Sequence, residues 1–171
     1  MKRLSFAIGL LFLVTQNAFS QRPLPPNIQS LAGLPGVWVG FPSGVGFPKG
    51  KYPEQLERDG LTSLQIITEA ELRLRKAGIR ILDADEAPGV LAIHIHAVKS
   101  DGGIYAISIV LSFEQSVVTK REPSVETICA TWEVNNLLVV EKSNLRHVKD
   151  VIGDGMDVFA NDFLTANPAR R

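Results

Sequence analysis

The chain has 171 residues, with 18 basic against 18 acidic side chains and 45% hydrophobic residues. That balance excludes the dense Lys/Arg surface that nucleic acid requires, and equally a polybasic membrane anchor. A single cysteine, Cys129, excludes an internal disulfide framework, so packing alone must hold the fold.

Residues 1–20 read as a secretory signal peptide. Lys2 and Arg3 supply the charge, Leu4 to Val14 the apolar run, and Ala18-Phe19-Ser20 the small residues before cleavage at Gln21. The run falls short of the roughly 20 apolar residues that span a bilayer. Removing those 20 residues and their two basic side chains leaves 151 residues with 16 basic and 18 acidic groups, a formal charge of −2. The expected product is exported and soluble, with no membrane span. Gln21 stands where a lipoprotein carries its acylated cysteine, so no lipid anchor is expected. The lack of Asn-x-Ser/Thr acceptors and of paired cysteines favours a Gram-negative periplasm over an extracellular location.

Residues 21–30 form a Pro-rich leader, expected to run extended. Residues 31–167 then read as one domain, and 168–171 as a tail. Val37 to Gly40 reads as a first strand. Phe41 to Pro53 is a Gly/Pro-rich loop carrying Phe41, Phe47 and Tyr52. Glu54 to Ala77 reads as one helix with an apolar stripe of Leu61, Leu64, Ile67 and Leu74, weakened by Gly60 and stopped by Gly78. Ile79 to Leu82 reads as a short strand.

Three longer strands follow by strict alternation: Val90 to Val98, Ile104 to Thr119, and Glu126 to Val134. Asp101-Gly102-Gly103 marks a hairpin between the first two. Asn135-Asn136 reads as a turn before a short strand, Leu137 to Glu141. A closing helix from about Leu145 to Ala166 presents Leu145, Val148, Ile152, Met156, Phe159 and Phe163 as one stripe. Asn167-Pro168 ends it.

These elements predict an α+β fold: a two-layer sandwich of a mainly antiparallel, 4–5-stranded sheet with two helices on one face. By simple alternation the reverse face carries Ala92, His94, His96, Ala106, Ser108, Ser112, Thr127, Cys129 and Thr131. The element order resembles the β-α-β-β-β-α domains of bacterial envelope proteins. These include the amino-terminal domains of TolB-like proteins and small outer-membrane accessory lipoproteins. Ala77-Gly78-Ile79, Thr131-Trp132 and Asp157-Val158-Phe159 add to the resemblance. It implies a compartment and a scaffold role, and it transfers no active-site residue.

His94 and His96 are the sharpest chemical feature. Residues i and i+2 of a strand share a face, so both imidazoles point together. With Cys129 on the same nominal face, and Glu114 between them, they suggest a zinc or copper site. The competing reading is two histidines on a polar face and an inert thiol. Other motifs fail on detail. Gly44 to Lys51 is out of register for a phosphate loop, with Tyr52 where Ser or Thr is needed. Asp150 to Asn161 lacks the third and closing ligands of a calcium loop. Neither a Gly-x-Ser-x-Gly elbow nor a His-Glu-x-x-His motif occurs.

The expected function is therefore a non-enzymatic binding or assembly domain without a cofactor, contacting an envelope protein or itself. Ser108, Ser112 and Thr131 on the open face, or Phe41, Phe47 and Tyr52 in the loop, would make the contact. The alternative is a metal-binding protein or metalloenzyme built on His94, His96 and Cys129.

Overall fold

In β3 (Ile104–Val118) every second residue is apolar: Tyr105, Ile107, Ile109, Leu111 and Phe113, all fully buried. This strand is the spine of a computed structural model that describes residues 23–41 and 52–168. The residues read as a signal peptide, Phe47 and the last three residues lie outside that range. Beside β3 runs β2 (Gly89–Lys99), antiparallel, with Leu91, Ile93 and Ile95 opposite Phe113, Leu111 and Ile109. On the other side runs β4 (Glu126–Glu141), also antiparallel. β1 (Trp38–Gly40) pairs parallel with β2 and completes a four-stranded sheet in the order β1-β2-β3-β4. The fold is α+β, as expected, with its helices packed on the sheet.

The helices are α1 (Pro26–Gln29), α2 (Glu54–Arg58), α3 (Ser63–Lys76) and α4 (Arg146–Ala166). α4 lays its expected stripe onto the sheet. Val148, Ile152, Met156 and Phe159 are fully buried, and the Phe159 ring meets Trp132 edge-on at 4.9 Å. Gly153 and Gly155 let the helix close in. A Cβ at Gly155 would strike Leu111 Cδ1, and one at Gly153 would sit 3.0 Å from the Arg73 guanidinium of α3. Arg73 bridges α3 to α4 by an ion pair with Asp157 at 2.9 Å. Among the described residues no helix is long and apolar enough to cross a membrane.

Several expectations are corrected. The helix over 54–77 is two helices. Gly60, at φ +93°, ends α2 while the Leu61 N–H donates to Leu56 O and the Gly60 N–H to Glu57 O. This is the left-handed stop that glycine allows. Thr62 and Gln65 then exchange side-chain and backbone hydrogen bonds, each at 3.2 Å, and start α3 afresh. The break resets the stripe to Ile66, Ala70 and Leu74, and leaves Leu64 71% exposed.

The leader is not wholly extended: Pro26–Gln29 forms a helical turn, and Leu31 after it is fully buried. Ile79 to Leu82 is not a strand, making one parallel bridge through Ile81 to Val37. Asn135 and Asn136 do not turn. They pair with Val110 and Ile109 inside β4, because β3 is long enough to offer partners throughout.

Candidate binding face

The side of the sheet turned away from the helices is built by three strands in register. Across it run the rows Val98–Ala106–Val139, His96–Ser108–Leu137, His94–Val110–Asn135, Ala92–Ser112–Glu133 and Val90–Glu114–Ala130. At one end the side chains stand in water: Val98 is 71% exposed, Val139 69% and Leu137 78%. At the other end, beside β1, Ala92, Ser112 and Glu114 are buried.

That buried corner holds a polar triangle. His94 Nε2 lies 2.8 Å from Glu114 Oε1, Ser112 Oγ donates to the same carboxylate oxygen at 3.0 Å, and Ser112 Oγ is 3.3 Å from His94 Nε2. His94 Nε2 and Ser112 Oγ thus converge on one oxygen of the buried Glu114 carboxyl. A nucleophile relay needs the carboxylate on one ring nitrogen and the hydroxyl on the other. Here both meet Nε2, and Ser112 is buried. The triangle therefore satisfies a buried carboxylate rather than activating the serine.

The expected metal set is not brought together. His94 and His96 do share the reverse face. Cys129 pairs with Gln115 and lies on the helix side, exposed. The cause is a bulge: the register shifts between Phe113 and Glu114, so Thr131 is the extra residue of β4. One added residue flips every later side chain to the other face. Among the described residues no cluster of three or more His, Cys, Asp or Glu can hold a metal.

The bulge also moves Thr131. Its Oγ1 accepts from Gln115 Nε2 at 2.9 Å and donates to Phe113 O, on the helix side. Of the residues expected to touch a partner, Ser108 lies on the open face, half-buried, and Ser112 is there but enclosed. Tyr52 is buried, its hydroxyl donating to Leu61 O at 2.7 Å and its ring meeting Phe41 edge-on. Burial, then the nearby Glu57 carboxylate, pushes its pKa well up. Tyr52 and Phe41 thus anchor the loop's ends, and Phe47 lies outside the described residues.

What sequence reasoning missed is the composition of β4 on this face. Glu126, Ile128, Ala130, Glu133, Asn135, Leu137, Val139 and Glu141 all lie there. The alternation assigned Ile128 and Ala130 to the buried side, on the assumption of an unbroken strand. Ile128 is 52% exposed.

A second polar cluster closes the far edge of the fold. Asp59 pairs with Lys99 and Lys142, each at 2.7 Å, and accepts the Tyr105 hydroxyl. Hydrogen bonds from Lys142, Lys99 and Tyr105 hold its carboxyl well below the usual carboxylate range. An open cleft of about 530 Å³ beside it is lined by Gln55, Arg58, Asp59, Lys99, Ser100 and Asp101. Comparison with protein-family models, curated proteins and solved structures finds no match to this chain.

Proposed function

We propose that the protein is a non-enzymatic binding domain of the cell envelope, which holds another protein against the helix-free face of its sheet. The observation that carries this reading is the exposed apolar end of that face. Val98, Leu137 and Val139 sit in adjacent rows, each more than two-thirds exposed, where no helix of the described residues covers them. Antiparallel sheets tolerate one wet face, but that face is then normally polar. Contiguous large aliphatics there mark a contact surface. The composition of residues 1–20, read as an export signal, supports the envelope half of the proposal. The resemblance in element order to TolB-like and accessory lipoprotein domains points the same way.

The test is site-specific photo-crosslinking in intact cells. A photoreactive residue replacing Leu137 should give a discrete protein adduct in the envelope fraction. The same residue at Leu64, equally exposed but on the helix layer, should not. No adduct at Leu137, or the same adducts from both positions, would overturn the reading.

A further inference from the structure

The partner's chemistry can be read from charge and from the free edge of β4, on the premise that this face docks a protein. β4 is an edge strand of 16 residues whose only strand partner among the described residues is β3. Its backbone is engaged from outside at the bulge, where Ser30 Oγ donates to Thr131 O. From Glu133 to Glu141 no strand lies beside it among the described residues. An unprotected edge of this length is a template for an added strand.

The reverse face of β2, β3 and β4 contains no lysine or arginine. It contains Glu126, Glu133 and Glu141, all exposed. Their hydrogen-bond partners are neutral: Ser116, Asn135 and Ser143. Four acids on the helix layer and at the far edge do have cations. Glu69 and Asp157 pair with Arg73, Glu71 with Arg75, and Asp59 with Lys99 and Lys142. The exposed aliphatics Leu137 and Val139 thus stand among carboxylates that carry no counter-charge.

We infer that β4 takes up an extended segment of a partner protein as a fifth strand, and that this segment alternates Lys or Arg with its other residues. Backbone hydrogen bonds to β4 would supply affinity. Alternate side chains of the added strand would fall on the reverse face and supply specificity. Its cations would meet Glu133 and Glu141, and its aliphatics and lysine stems would cover Leu137 and Val139. A second copy of this chain fits less well, because β4 against β4 gathers carboxylates with no cation between them. An anionic membrane is repelled for the same reason.

The test uses purified full-length protein and two short capped peptides, one alternating Lys and Val, the other Glu and Val, followed by fluorescence anisotropy at low salt. The Lys peptide should bind about tenfold or more tighter than the Glu peptide. The double variant Glu133→Lys/Glu141→Lys, altered only at exposed positions, should reverse that order. A Lys peptide N-methylated at alternate residues keeps its charge but loses its strand-edge donors, and should lose its binding. Equal binding of both peptides, binding of neither, or an unreversed order would overturn the inference. So would undiminished binding of the N-methylated peptide, which would show charge attraction without strand addition. Crosslinks at Leu137 that the Lys peptide does not compete away would overturn this inference while leaving the docking face itself intact.

Discussion

Leu111 and Leu137 sit on neighbouring strands of one sheet, and their surroundings are opposite. Leu111 is fully buried, pressed by Gly155 of α4. Leu137 is 78% exposed, with His96 and Ser108 as its row and no helix of the described residues above it. The contrast separates what holds this fold together from what the fold displays. On the helix side apolar area leaves water when the chain folds. On the reverse face Val98, Leu137 and Val139 stay wet, and their apolar area adds nothing to the stability of the fold.

The largest expected effect tests the covered side. Leu111→Ala should cost about 2–5 kcal/mol in chemical denaturation, because it opens a cavity that Gly155 has no side chain to fill. The same measurement on Leu137→Ser should move stability by no more than about 0.5 kcal/mol. Equal effects from the two would erase the distinction between core and display.

Next comes the buried corner of the reverse face. Ser112→Ala removes one of the donors that satisfy the buried Glu114 carboxylate, and should cost about 1–3 kcal/mol in urea titration. A neutral result would mean that Glu114 finds water there and that this corner is open like the Leu137 end.

The smallest effect lies outside both faces. Asp59 titrates below its unfolded value of about 3.9, so its contribution is present above that pH and is lost as pH falls toward the folded value. The thermal midpoint of Asp59→Asn should therefore lie below the wild type at neutral pH, and the gap should narrow below about pH 4. A gap that stays constant on acidification would show that the Lys99 and Lys142 contacts add nothing through charge.

Much of this was legible in single residues. The alternation of Tyr105 to Phe113 identified a buried face, and the spacing of Val148 to Phe163 identified the helix that covers it. The break between α2 and α3 was also written locally, in Gly60 followed by Thr62 and Gln65, although the surrounding helical periodicity masked it. Asn135 and Asn136 favour turns in isolation, and here they are overruled by the hydrogen bonds that β3 offers. The bulge at Thr131 has no comparable signal. Thr131 is β-branched and suits a regular strand, so alternation carried straight through it and put Cys129 beside His94 and His96.

By itself the sequence determined the long strands β2 and β3, the first half of β4 and the closing helix α4, because side-chain period acts over a few neighbouring residues. It also determined that β3 and α4 would share a core. Only the tertiary structure decided which face Cys129, Thr131, Ile128 and Ala130 occupy, and hence that the open face is acidic and aliphatic rather than small and thiol-bearing. The reason is that facing follows cross-strand register. Register is set by pairing with a distant strand, and one extra residue at a bulge inverts everything beyond it.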